Sequence, residues 1–471
     1  MSAEATTGLV RPWTVAILLL SALVLFTARI GELSLASLED AFYGREAVEM
    51  ARSGRVYTVT WNEVPTHQHP PLHLWLVART FDVLGERDLA ARLPTVILAL
   101  GTLALTWRIG ALTVGRAAAT AGMAGLLATP IFVDNARRLM MEVPLTFWIA
   151  GTVWIYLEAR HGPRWRYVTL AVPLGAAILT KSVLGLMPLL AILGAAVSHE
   201  WRAPLRRPWV WIGVALGLAI GASWLVHQWW TQGWGAVASH LLSHVIGRST
   251  RSFRLKAFYA YPLILLKFYQ PIILPGLVGL WLVLRRPGML RSRAGILAAW
   301  IIVPVVLYSL SSFRTPRFIF PILPPLALCA GYALVAIVPR VATFLCSVLV
   351  PVAAVIVAGV LWWKPSLLTR DPNAAFKRHA TAIQALVPAG ESVPYLGNHY
   401  WASANPLLYY AERHLAASSG TGDQAITDAR ARPPHLLLVT RQRLPDVIGQ
   451  HVPYRVVVEG PGFALLQLAE E

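Results

Sequence analysis

Long apolar runs recur along the chain, separated by short segments in which the charged residues gather. A bilayer core about 30 Å thick needs about 20 apolar residues per crossing helix. On that measure about eleven runs qualify: 12–32, 92–113, 117–133, 143–159, 167–181, 182–198, 208–229, 259–284, 294–311, 317–338 and 341–363. No small-residue cleavage site follows the first, so it reads as an uncleaved anchor. The pattern changes at about residue 364. Strand-like runs at 393–396, 406–411, 435–440 and 454–467, with a helical stretch near 374–387, predict a small α/β domain. The expected fold is a polytopic α-helical membrane protein of about 11 transmembrane helices, residues 1–363, followed by a small C-terminal α/β extracytoplasmic domain, residues 364–471.

Composition agrees. The 471 residues are 56% hydrophobic and 14% charged, with a mean hydropathy of +0.56, whereas soluble domains carry about 25% charge. One soluble globular enzyme is excluded. The net charge of +18 suggests a nucleic-acid partner only until its cations are located, because most sit in short loops between apolar runs. With the N-terminus inside, the loops assigned to the cytoplasm carry Arg116; Arg160, Arg164 and Arg166; Arg202, Arg206 and Arg207; Arg285, Arg286, Arg291 and Arg293; and Arg340. This positive-inside pattern leaves the loops 33–91 and 230–258 and the tail on the outer face. The cysteines, Cys329 and Cys346, both fall in apolar runs and offer neither a disulfide framework nor metal-type spacing. No internal repeat or low-complexity linker is visible.

Reactive residue types concentrate in the outer loops. In SLEDAFYGREAVEMAR (37–52), Leu38, Ala41, Phe42, Val48 and Met50 alternate with charges, which predicts a helix lying on the membrane surface. Ser37 and Asp40 fit a capping box, and acids in a first turn offset the helix dipole; the same Glu39 and Asp40 are candidates for a general base. In WNEVPTHQHPPLHLWL (61–76) the prolines end an extended segment, open a helix and hold His67 and His69 near the membrane, where histidine binds phosphate or metal or passes a proton. Glu142 reads either as a second active carboxylate or as an exposed acid pairing with Arg137 or Arg138. Arg248, Arg251, Arg254 and Lys256, with Arg314 and Arg317, suit either lipid headgroups or a phosphate clamp. Lys181 and Lys267 lie beside or within apolar runs, where a charge is functional or snorkels outward. His240 and His244, four residues apart, share a helix face and with His67 and His69 make a candidate set for a divalent metal such as zinc; no other cofactor is called for. The Trp229–Trp230 and Trp362–Trp363 pairs flank spans as interfacial belts.

The order of acidic pair, Tyr43, helix ending near Gly54, N-x-V-P (Asn62 to Pro65) and H-P-P-L (His69 to Leu72) resembles the first outer loop of the polytopic GT-C-fold glycosyltransferases. Within them it is most similar to the branch containing protein O-mannosyltransferases and the lipid A aminoarabinose transferase. Three later segments match in order: RLMMEVPLTF (138–147), LTKSVLGL (179–186), which resembles an L-T-K-G segment, and RTPRFIFP (314–321). The resemblance covers about residues 12–340. It implies a GT-C-like fold and an enzyme that takes a sugar from a polyprenyl phosphate and transfers it to a lipid, glycan or protein hydroxyl on the outer face.

The resemblance also implies roles. Glu39 or Asp40 would be the base and Glu142 a second carboxylate. His69, Lys181, Arg248, Arg251, Arg314 and Arg317 would hold the donor phosphate, and Tyr43 and His67 would touch substrate. A metal has been associated with the site in this family. Three departures stand out: Glu39–Asp40 replaces the usual Asp-Glu, leaving open which carboxylate acts; Glu142 replaces Asp; and His69 replaces a lysine, so a fixed charge becomes a titratable one. The enzyme would sit in the plasma (inner) membrane as a multi-pass protein, N-terminus cytoplasmic, with its active site and C-terminal domain extracytoplasmic. The rival reading is a transporter or flippase of a lipid-linked substrate, which predicts repeated halves and charges within spans.

Overall fold

The computed structural model describes residues 13–35, 38–196, 203–246, 260–285, 294–309, 315–368, 371, 374–387, 391–397, 408–416, 421–459 and 463–469. The chain forms two compact units. One comprises 1–28, 67–73 and 92–364; the other comprises 29–66, 74–91 and 365–471.

The first unit is helical, as apolar runs must be where no water can satisfy the backbone. Among the described residues five helices are long and apolar enough to cross a membrane: Asp88–Thr113, Arg164–Gly194, Pro208–Gln232, Phe320–Ile337 and Pro339–Trp363. Arg116–Leu127 and Pro130–Ala136 make a sixth if taken as one span bent by 69°, and Trp13–Thr27, Ile273–Arg285 and Gly295–Ser309 are shorter apolar helices. The bend has a local cause. Pro130 disfavours helical backbone at the residue before it, and Thr129 is accordingly extended, φ −89°, ψ 112°. Small residues bring helices together: Gly279 lies against the main chain of Cys329, and Gly331 against that of Ala118 and Gly122. A Cβ at either glycine would overlap backbone, so the Leu323–Ile337 helix packs tightly on Ile273–Arg285 and Arg116–Leu127.

The stretch Arg164–Gly194 is interrupted near its middle. Its limbs Ala171–Lys181 and Met187–Ala195 are joined by a 3-10 turn, Ser182–Leu186. Ser182 takes φ 48°, ψ −125°, and Gly185 lies against the main chain of Ala177 and Ile178. The 3-10 segment begins at the boundary expected between residues 181 and 182.

In the second unit the helix Leu38–Ser53 precedes a hairpin of β1 (Thr60–Trp61) and β2 (Val64–Pro65). The tail then supplies the helix Ala374–Leu386, β3 (Ser392–Val393), β4 (Tyr395–Leu396), β5 (His414–Leu415), the helix Gly422–Arg430, β6 (Leu436–Thr440), the helix Leu444–Ile448, β7 (Tyr454–Glu459) and β8 (Phe463–Leu468). Four strands make a sheet in the order β4-β6-β8-β7, with β4 parallel to β6 and the other pairs antiparallel; β3 pairs with β5 in parallel. All five residues of β6 are buried, and Leu437, Val439, Leu466 and Leu468 pack with Ala425, Ile426 and Ala429 of the Gly422–Arg430 helix.

Two expectations are corrected here. Residues 408–410 are helical and the strand of this region is His414–Leu415; a short apolar run such as 406–411 does not distinguish strand from helix by periodicity. The predicted surface helix forms at Leu38–Ser53, but residues 40–50 are buried throughout. Gly44 lies against Leu35 and the Tyr409 ring, and Arg45 donates to the Leu408 carbonyl at 3.2 Å. Tail and loop side chains cover the face that the sequence pattern assigned to lipid.

Candidate active site

In the second unit the acidic pair opens the Leu38–Ser53 helix: Glu39 is half-buried and Asp40 fully buried. Ser37, the proposed cap, lies outside the described residues. Tyr43 is buried one turn on, its ring edge-to-face with Phe42 at 5.9 Å. A turn further, Glu46 is fully buried and neither carboxylate oxygen has a hydrogen-bond partner. Burial, reinforced by the neighbouring Glu49 carboxylate, pushes the Glu46 carboxyl well above its ordinary range. Glu49 itself is paired, accepting from Arg45 Nε at 2.7 Å and from the Glu63 amide at 3.0 Å.

The N-x-V-P motif works as a turn. Asn62 and Glu63 both take positive φ, 55° and 65°, in the two-residue loop of the β1–β2 hairpin, as a type I′ turn requires. The Asn62 amide then pairs with the main chain of Leu415, donating to its carbonyl at 3.0 Å and accepting from its N–H at 3.1 Å. It extends β5 as a strand neighbour would.

In the membrane unit Glu142, 1% exposed, begins the helix Glu142–Glu158. Lys181 Nζ donates to its Oε1 at 2.5 Å, and its Oε2 is buried without a hydrogen-bond partner. The alternative of an exposed acid paired with Arg137 or Arg138 is therefore corrected. Arg138 binds Asp134 at 2.9 Å, and Arg137 donates to the carbonyls of Leu25 and, at 2.7 Å, Ala28. Beside Lys181, Ser182 Oγ is 2.8 Å from His240 Nε2, and His240 Nδ1 is 2.7 Å from the His67 carbonyl. The Trp224 ring meets the imidazole edge-on at 4.9 Å. Thus His67 and Ser182, the residue after Lys181, are joined through His240 in one chain of polar contacts, although His240 lies 173 residues from His67.

The remaining candidates are placed less fully. His69 is half-buried, and Arg317 is half-buried with its guanidinium lowered by burial. Lys267 is exposed, its Nζ over the Phe268 ring at 5.2 Å. Arg248, Arg251, Arg254, Lys256 and Arg314, and the side chain of His244, lie outside the described residues. Among the described residues no three His, Cys, Asp or Glu side chains are grouped to hold a metal. His240 spends both ring nitrogens on His67 and Ser182, so the described histidines do not fit the expected zinc site.

Several residues were not singled out from the sequence. Ser182, in the position of the glycine of L-T-K-G, holds a positive φ. His73 is fully buried with Nε2 3.3 Å from Thr95 Oγ1, and burial pushes its imidazole down to about 3; its signal was a polar residue two positions after the Pro-Pro pair, in the first turn of an apolar helix. Arg137, read from the sequence only as a candidate partner of Glu142, is lowered to about 10 by burial and by the nearby Arg92. Asp88 accepts from Lys377 at 2.7 Å, a pairing across 289 residues that no local pattern announces.

Comparison with known proteins fits this arrangement. Residues 68–227 match the family model described as dolichyl-phosphate-mannose-protein mannosyltransferase. The chain is 25% identical over 307 residues to an uncharacterised Aquifex aeolicus protein, covering 64% of this chain and 68% of that protein. It is 23% identical over 339 residues to the undecaprenyl phosphate-alpha-4-amino-4-deoxy-L-arabinose arabinosyl transferase 1 of Pseudomonas fluorescens, covering 69% of this chain and 60% of that protein, so it spans less than two thirds of that relative's length. Its fold is similar to the crystal structure of ArnT from Cupriavidus metallidurans bound to undecaprenyl phosphate, with a TM-score of 0.77 at 19% identity over 96% of this chain and 97% of that one. It is also similar to the oligosaccharyltransferase AglB from Archaeoglobus fulgidus, with a TM-score of 0.57 at 12% identity over 92% and 70%. Sequence and fold together bear out the resemblance read from the motifs: the chain carries the GT-C fold and is similar in sequence to glycosyltransferases of the lipid A aminoarabinose transferase-like branch.

Proposed function

We propose that this chain is a membrane glycosyltransferase that moves a sugar from a polyprenyl phosphate to an acceptor hydroxyl on the extracytoplasmic face, with a first-loop carboxylate as base. The observation that carries this reading is the likeness over 96% of the chain to ArnT, a protein crystallised with undecaprenyl phosphate. Glu39 or Asp40 takes the acceptor proton as the hydroxyl oxygen attacks the anomeric carbon, and the bond from that carbon to the phosphate oxygen breaks. The donor leaves as polyprenyl phosphate, its developing charge met by cations. Lys181 supplies one; His69, Arg317 and the arginines 248, 251 and 314 are candidates for the rest. A single displacement inverts the anomeric centre. In this reading Glu142 holds the Lys181 ammonium in place, and the acceptor is a lipid, glycan or protein hydroxyl.

The same reading sets eleven crossings, a cytoplasmic N-terminus and an extracytoplasmic C-terminal domain. Both cysteines are buried, which gives a clean background for labelling. Cysteines placed singly at Thr66 and Gln450 should react with a membrane-impermeant maleimide added to intact cells, and cysteines at Arg116 and Arg340 only after lysis; the reverse pattern inverts the topology. Function is tested by incubating the purified protein with a panel of polyprenyl-phosphate sugars and acceptors. Wild type should release polyprenyl phosphate, while Asp40→Asn or Glu39→Gln should lose at least about a hundredfold in turnover with little change in melting temperature. Full activity in both variants would sink the base assignment.

A further inference from the structure

The Ser182–His240 contact has no part in the chemistry above. We propose that it is a positioning device, in which Ser182, held by His240, fixes the turn that presents Lys181 to the donor phosphate. This rests on the reading of Lys181 as a phosphate-binding cation.

Ser182 takes φ 48°, ψ −125° where the Ala171–Lys181 helix gives way to the 3-10 turn, a conformation that a residue with a Cβ keeps only where its surroundings hold it. Its hydroxyl is the group being held, 2.8 Å from His240 Nε2. The imidazole is itself oriented from two further directions. A carbonyl only accepts, so the 2.7 Å contact with the His67 carbonyl puts the proton on Nδ1 and leaves Nε2 of the neutral ring to accept from Ser182. The buried Trp224 ring abuts the imidazole edge-on from the Pro208–Gln232 helix.

His240 also rides on a π-helical segment, Ser239–Ile246, a rare geometry that is frequent at functional sites. Lys181 directly precedes Ser182 as the last residue of its helix and already departs from helical torsions, φ −149°, ψ 40°. Its main chain is therefore set by the same turn, while its ammonium is anchored 2.5 Å from Glu142. Through one imidazole, the H-x-H segment, the second outer loop and the lysine turn are tied together within a single compact unit.

Ser182→Gly is the informative variant because glycine adopts this φ without strain. A role in folding alone predicts that it melts at or above the wild-type temperature with donor affinity unchanged. The positioning role predicts an intact fold and about fivefold weaker affinity, the equivalent of one hydrogen bond's net contribution of about 1 kcal/mol, with KM for the donor raised more than kcat is lowered. The probe is undecaprenyl phosphate titrated into the full-length, detergent-solubilised protein. Ser182→Ala and His240→Ala should each weaken binding, and together should cost no more than the larger single effect.

Lys181→Gln serves as the reference, with Lys181→Gln/Glu142→Gln if the single variant fails to fold. Weak binding in that reference with wild-type affinity in Ser182→Gly overturns the positioning role and leaves the phosphate reading standing. Wild-type affinity in the reference overturns both.

Discussion

Glu46 and His73 are buried at 0% exposure, and each makes stability depend on pH in the opposite sense. The His73 imidazole is lowered to about 3 by burial, so it stays neutral in the fold while the unfolded chain takes up a proton below about 6.5. Its contribution is full above the unfolded value and lost as pH falls toward 3, about 2 kcal/mol of it by pH 5. His73→Gln should flatten that acid limb in melting curves. Glu46 behaves inversely. Raised by burial and by Glu49, it favours its neutral form in the fold, and the stability it contributes is lost as pH rises through its folded value. Glu46→Gln should therefore melt at or above wild type at about pH 8 and differ little at about pH 5; a variant that is destabilised at the higher pH would show that the carboxyl is used ionised.

The Glu142–Lys181 pair gives a third test at this scale. Lys181→Gln strands a buried carboxylate and should cost about 3 kcal/mol or more, most of it recovered in Lys181→Gln/Glu142→Gln. Both residues were legible as candidates because a charge beside apolar runs is conspicuous. Their contact was not, since 39 residues separate them and side-chain types carry no distance.

Among the elements, the membrane helices were the most legible, because apolar runs of crossing length declare themselves. Their interruptions were less so. Pro130 explains a bend in a run read as one span, and the Ser182 turn depends on backbone torsions that serine does not advertise. The Leu38–Ser53 helix shows how a correct element can be given the wrong surroundings. Its apolar and charged residues match an interfacial helix, yet the Arg45–Glu49 pair at 2.7 Å and the Leu408 carbonyl let its polar groups be buried. The Asn62–Glu63 turn was seen as a motif, while its work as a type I′ turn and a strand neighbour for Leu415 emerged only with the fold. Asn62→Ala should cost about 2 kcal/mol, from a positive φ that alanine resists and two lost hydrogen bonds. Asn62→Asp, which keeps the acceptor, should cost less; equal melting of all three proteins would remove the turn from the account.

For the whole molecule, the tail is part of one unit with most of the first outer loop. Lys377 binds Asp88 and the carbonyls of Gly31 and Glu32, Ser34 binds Asp371, and Arg52 bridges Glu86 and Glu412. Ending the chain at Lys364 should thus uncover the Leu38–Ser53 helix. Expected are loss of activity and protease cleavage within residues 38–66, read by mass spectrometry on the purified protein. An intact first loop in that truncation would make the tail an independent appendage.

The sequence by itself determined the membrane class, the loops that carry reactive side chains and the family resemblance, because hydrophobic run length, charge distribution and motif order are local or one-dimensional properties. Only the tertiary structure decided that Glu142 faces Lys181 and not Arg137 or Arg138, that His240 is spent on Ser182 and His67, and that the acidic helix is enclosed. Hydrogen bonds and ion pairs act over about 3 Å, and which distant segments come that close is settled by packing the whole chain at once.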